Sequence, residues 1–161
     1  MVVKESNIIK INLDDYLVDF VMSLQGSTKQ PVRISNKNFI GASIYRLLDK
    51  VPENCRFEYP ILPNKRILEV EVGWLGSRGQ KRKRPFTHYY FPVSKQRELE
   101  LSIRNMFDEL YFQVIEISRE YTDAQYVVLI EKFCDRYKID FAKNFESFKK
   151  KHYRARQNLL N

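Results

Sequence analysis

Glycine and proline are scarce, 5 and 6 among 161 residues, which argues against a repeat architecture or a loop-dominated fold. Cysteine is scarcer. Cys55 and Cys134 cannot form a disulfide framework. Cys134 falls within an apolar helical run (Ile130, Phe133, Tyr137) and reads as a buried, reduced thiol that packs as a small hydrophobe. Histidine is limited to His88 and His152, neither with Cys, Asp or Glu at ligand spacing, and no CxxC occurs. No metal site is therefore expected. No apolar run approaches the roughly 20 residues that cross a bilayer. Val2, Val3, Lys4 and Glu5 do not form the apolar stretch of a secretory signal. The expected setting is cytoplasmic, away from membranes.

What is present is apolar and aromatic. Hydrophobic residues make up 43% of the chain and aromatics 14%, enough for a packed interior with little disorder. Positive charge is also in excess, 28 Lys and Arg against 20 acids. Its placement is uneven. Residues 1–60 carry 8 basic and 7 acidic side chains, and residues 61–97 carry 9 and 2. Residues 98–140 carry 5 and 10, and residues 141–161 carry 6 and 1. Segregation of this kind creates local potential that a uniform scatter would not.

Residues 7–11 read as a short strand or an extended lead-in. Leu13, Tyr16, Leu17, Phe20, Val21 and Leu24 then recur at helical steps, and Gly26 supplies a stop. Residues 31–34 are extended. Ser35 or Asn36 is placed to cap a helix lined by Phe39, Ile40, Ser43, Ile44, Leu47 and Leu48, with Pro52 ending it. Residues 67–75 alternate as a half-buried strand, with Leu68, Val70, Val72 and Trp74 on one side and Glu69 and Glu71 on the other. Residues 86–93 are again β-rich, so the two runs predict a β-hairpin with a long basic tip.

From about Lys95 the period is helical. Leu99, Ile103, Met106, Leu110, Val114, Ile117 and Tyr121 form a stripe, thickened by Phe107 and Tyr111. Thr122 and Gln125 match a capping box for a second helix, with Tyr126, Leu129, Ile130, Phe133 and Tyr137 inward. After a turn at 138–140, Phe141, Phe145, Phe148, His152, Ala155 and Leu159 trace the seam of a third. The expected fold class is α+β: a small N-terminal α/β part with a β-hairpin (1–95), then a C-terminal three-helix segment (96–161), packed as one unit.

Two basic elements stand out. Arg78, Lys81, Arg82, Lys83 and Arg84 place five positive charges within seven residues. On a hairpin tip they form an arm able to follow a phosphate backbone, its binding rewarded by counterion release. A solvated loop or a nuclear-import patch would look the same. The final helix carries Lys143, Lys149, Lys150, Lys151, Arg154 and Arg156 outside its seam, with Tyr153 among them. Such a helix can lie in a major groove or along phosphates. An anionic membrane is disfavoured because the apolar stripe is narrow, and the helix dipole accounts for part of the cluster.

The last two helices have helix-turn-helix proportions, which any helical hairpin shares. Asn144 is the one base-reading type near the recognition-helix start, so backbone contact is the safer expectation. No catalytic set emerges. His88 beside Tyr89 and Tyr90 lacks the partners of a nucleic-acid-cleaving tyrosine, and His152 reads as a packed histidine. Asp15 and Asp19 could share a helix face but lack a third acid or positioned base for two-metal work, and Asp14 and Asp15 are explained as acids at a helix start. Gly76, Gly79 and Lys81 miss the P-loop spacing.

The small basic design with a helical tail resembles, in general style, the accessory DNA-binding proteins of phages and mobile elements. The expected function is a non-enzymatic regulator or accessory factor that binds nucleic acid, DNA ahead of RNA, with no cofactor and no small-molecule substrate. The alternative is a structural, assembly or inhibitor protein whose charge blocks make protein contacts, including self-association into a homo-oligomer.

Overall fold

Alternation along the first strand sets the core. In a computed structural model describing residues 7–51, 59–72 and 89–159, β1 (Asn7–Leu13) buries Ile9, Ile11 and Leu13 completely. It pairs antiparallel with β4 (Arg66–Val72), Ile9 opposite Val70 and Ile11 opposite Leu68. The other edge of β4 is taken by β2 (Val32–Arg33), in parallel. Leu68, Val70 and Val72 point inward. Glu69 and Glu71 meet Lys10 at 3.5 Å and Arg33 at 2.7 Å on the far face.

Helix α1 (Asp15–Leu24) follows β1 and buries Leu17, Val18, Phe20 and Val21. Leu13, expected on this helix, ends the strand instead. The helix stops at Gly26, whose φ of +62° is the left-handed conformation that costs glycine least. The Ser27 N–H closes the turn on the Met22 carbonyl at 2.9 Å.

Helix α2 (Phe39–Leu47) is capped by Asn38, whose Oδ1 accepts the Gly41 N–H at 2.8 Å. Ser35, the expected cap with Asn36, accepts the Lys37 N–H on its hydroxyl at 3.2 Å. The cap moves because residues 35–38 form a turn of their own, the Asn38 N–H bonding the Ser35 carbonyl at 3.4 Å. Phe39 consequently faces solvent, while Ile40, Ser43, Ile44 and Leu47 are buried. The helix ends at Leu47, and Pro52 lies outside the described residues.

The predicted hairpin is replaced, in the described residues, by a different pairing. β3 (Asp49–Lys50) joins β5 (Tyr89–Tyr90) in a separate two-stranded sheet, Asp49 opposite Tyr90. β4 has β1 on one edge and β2 on the other, so β5 finds its partner elsewhere. Residues 73–88 lie outside the description.

Three helices complete the architecture: α3 (Val93–Tyr121), α4 (Tyr126–Tyr137) and α5 (Phe141–Leu159). The buried line of α3 is Gln96, Leu99, Ile103, Phe107, Tyr111 and Ile115. Ile117 and Tyr121, placed on the stripe by spacing, are 55% and 81% exposed, because the buried line advances in steps of four and drifts round the helix to Ile115. Thr122 does not open α4. It closes α3, its hydroxyl donating to the Ser118 carbonyl at 2.7 Å, and Gln125 caps α4 without a side-chain bond.

Rings from α1, α4 and α5 converge on Phe107 of α3. Tyr16 and Phe20 lie 5.0 Å from it between centroids, Phe148 5.3 Å and Phe133 5.6 Å. Most of these pairs meet edge to face, the arrangement that aromatic quadrupoles favour. One buried cluster thus contains residues from both sides of position 95, from Ile9 to Phe148.

Candidate nucleic-acid interface

Helix α5 owes its position to the turn before it. Lys138 adopts the left-handed conformation (φ +58°), and the Ile139 N–H bonds the Cys134 carbonyl at 2.9 Å, ending α4. Asp140 then caps α5, Oδ1 accepting the Lys143 N–H at 3.0 Å. Phe148 and His152 are buried and Phe141, Phe145 and Ala155 half-buried, the predicted seam. The side chain of Leu159 lies outside the description. The Tyr111 hydroxyl donates to the Phe148 carbonyl at 3.1 Å and ties the seam to α3.

With the seam turned inward, Lys149, Lys150, Tyr153, Arg154 and Arg156 face solvent. A shallow depression of about 310 Å³ runs along this face, lined by Glu146, Lys149, Lys150, Tyr153 and Arg154. Lys149 lies over the Phe145 ring, 5.7 Å from its centroid. Among the described residues, Lys149, Lys150, Arg154 and Arg156 have no carboxylate partner.

The other two lysines are engaged. Lys143 donates to Asp15 of α1. That bond above all, with the Arg66 guanidinium, holds the Asp15 carboxyl below the usual aspartate range despite its burial. Lys151 pairs with Asp108 of α3, its ammonium 5.6 Å from the Tyr16 ring and 5.8 Å from Phe107. Asn144 is occupied too, its Nδ2 donating to the Asp140 carbonyl at 2.8 Å. The start of α5 is therefore spent on internal bonds, and free charge begins two turns later. Arg78, Lys81, Arg82, Lys83 and Arg84 lie outside the described residues, as do Cys55, Trp74 and His88.

Asp15 lies in the first turn of α1, as expected of a helix-start acid, but the aspartates at this end of the helix are also taken up in ion pairs. Asp14, at the N-cap, makes no side-chain cap bond. It meets Lys65 at 2.7 Å and Arg104 at 2.6 Å, and Lys65 reaches Glu100 at 2.6 Å. Arg66 bridges Asp15 at 3.1 Å and Asp19 at 2.7 Å. Two cations and two anions close the first network. Burial alone would raise the Asp14 carboxyl, but Lys65 and then Arg104 outweigh it, and it sits below the ordinary range. Burial beside this network pushes the Tyr16 phenol up to about 12. These acids are consumed in stapling α1 to β4 and α3. Among the described residues no group of His, Cys, Asp or Glu is placed to hold a metal.

A corner unmarked by any sequence pattern lies where α3, α4 and α5 end or begin. His152 is held by Glu116, Nε2 to Oε1 at 2.7 Å, and lies 4.4 Å from the Tyr126 ring and 5.5 Å from Phe112, centroid to centroid. It is packed, as expected. Arg119 and Arg156 both donate to the Tyr126 hydroxyl. The positions are 7 and 30 residues from Tyr126, so only the three-helix packing brings them together.

Among the described residues no helix is long and apolar enough to cross a membrane. Comparison with protein-family models, with curated proteins and with solved structures yields no match.

Proposed function

We propose that this chain is a non-enzymatic nucleic-acid-binding protein, directed at duplex DNA ahead of RNA, acting as a regulator or accessory factor in the style of phage and mobile-element proteins. The observation that carries the reading is the exposed set Lys149, Lys150, Arg154 and Arg156 on α5, none in an ion pair among the described residues while Lys143 and Lys151 are paired internally. Lys149 to Arg156 span about 10 Å along the axis at 1.5 Å per residue. That length suits contact with adjacent phosphates of one strand. The basic segment 78–84 belongs to the proposal as a second arm.

Contact with phosphates is favoured over base reading. A recognition helix reads bases from its first turns, and here Lys143 and Asn144 are held by Asp15 and Asp140. A cytoplasmic setting accords with Cys134 buried as a free thiol. Fluorescence anisotropy with duplex DNA across a salt series tests the reading. Binding is expected to weaken linearly in log–log form, by about 0.9 for each phosphate contact. Absence of binding to DNA and RNA at low salt ends it.

A second reading, protein–protein assembly or inhibition, is supported by one observation. Ile117, Tyr121, Val127 and Val128 expose apolar surface around the 122–125 connection. Salt-sensitive self-association in light scattering, without nucleic acid, would favour it.

A further inference from the structure

Two arginines from different helices reach one tyrosine oxygen. Arg119 of α3 lays its guanidinium over the Tyr126 ring, Cζ 4.5 Å from the centroid, and its Nη1 donates to the hydroxyl. Arg156 of α5 donates to the same oxygen at 3.1 Å. Their positive groups therefore face each other across a single atom.

Among the described residues, one carboxylate serves this corner. Glu116 Oε1 is 2.7 Å from His152 Nε2, 3.4 Å from the Tyr126 hydroxyl and 4.0 Å from Arg119 Nη1. Two guanidiniums against one carboxylate leave positive charge uncompensated even with His152 neutral. Each guanidinium has five N–H donors in a planar fork, of which the Tyr126 oxygen takes only one apiece. Among the described residues the corner is one anion short. Two forks converging from different directions suit a tetrahedral one with several acceptor oxygens better than a single planar carboxylate.

We propose that the remaining N–H donors of Arg119 and Arg156, gathered at the Tyr126 hydroxyl, seat one phosphoryl group, the phosphodiester of a nucleic-acid backbone. Lys149 stands seven residues before Arg156, on the same side of α5, so the seat continues the row of free cations around to α3 and α4. It deepens the nucleic-acid reading and rests on it for the owner of the phosphate.

The test follows the arginine Nε–H signals of the full chain by NMR, titrating inorganic phosphate in one arm and a short duplex DNA in the other. Both ligands are expected to shift Arg119 and Arg156 saturably. Arg156→Gln should weaken DNA binding about tenfold, the value of one hydrogen bond to a charged group, and remove the phosphate response at Arg119. Arg156→Lys, which keeps the charge and loses the fork, should fall between, and supplies the comparison if the glutamine variant folds poorly. DNA that binds and shifts Arg154 while leaving Arg119 and Arg156 unmoved overturns the seat and spares the function. Phosphate that shifts both arginines in a protein indifferent to DNA keeps the seat and overturns the function.

Discussion

Gln96 of α3 completes the open edge of β1 at Asn12: its Nε2 donates to the Asn12 carbonyl, and its Oε1 accepts the Asn12 N–H at 3.3 Å. β1 is an edge strand in the order β1-β4-β2, so its outward backbone groups need a partner once buried. Asn12 extends the arrangement, its Nδ2 donating to the Pro60 carbonyl at 2.9 Å and its Oδ1 accepting the Leu62 N–H at 3.2 Å. Gln96→Leu keeps the volume and orphans two buried backbone groups. The expected cost is about 2–4 kcal/mol, read from urea unfolding. A change within 0.5 kcal/mol, typical of surface positions, would show that the side chain is dispensable.

Gly41 inverts an ordinary rule. In a helix interior alanine is preferred to glycine by about 1 kcal/mol, yet a Cβ here would sit 1.9 Å from the Ser35 carbonyl oxygen. That neighbour is backbone and cannot swing away. Gly41→Ala is expected to lower the melting temperature, where an open helical site would raise it.

Acid should loosen the staples between α1, β4 and α3. Asp14 and Asp15 have folded-state values below their ordinary one. Their contribution is complete above the ordinary aspartate value of about 4, and disappears as pH falls through the lower folded value. Wild-type stability should therefore drop on acidification from about pH 5 to about pH 2. In Asp14→Asn the drop should be shallower, measured as urea midpoints across that series.

The lysines of α5 should separate into two classes. Lys150→Ala with Arg154→Ala is expected to reduce the salt slope of DNA binding by about 2 and leave stability nearly unchanged. Lys143→Ala with Lys151→Ala breaks the pairs to Asp15 and Asp108, so stability should fall more than affinity. Equal effects of the two doubles on the salt slope would contradict the division.

Cys134 should be inert in the folded protein. Burial, with a smaller contribution from Asp135 and Asp140, pushes its thiol up to about 11, and the thiolate is the reactive form. Iodoacetamide at neutral pH is expected to leave Cys134 unmodified in the native protein and to alkylate it in urea, by peptide mass spectrometry. Fast native alkylation would show that the α4 seam opens.

Local patterns served well where one face of an element decides its fate. The alternation of Leu68, Val70 and Val72 and the seam of Phe148 and His152 are periodicities that burial enforces, and the Gly26 stop is a local backbone preference. They failed at ends and edges. Asn38 rather than Ser35 caps α2, Thr122 closes a helix instead of opening one, and Tyr89–Tyr90 pairs with Asp49–Lys50. A cap depends on where the chain bends, and a strand's partner depends on which edges other strands have taken.

Charge divided the same way. That the chain is basic in two segments, and that its last helix is apolar along one narrow line, follow from residue order alone, because charge and helical phase are local properties. Which cations stay available was a tertiary outcome. Lys143 and Lys151 found carboxylates on α1 and α3, while Arg119 met Arg156 at Tyr126. Long side chains reach across helices, and only the packing of those helices sets what each ammonium or guanidinium meets.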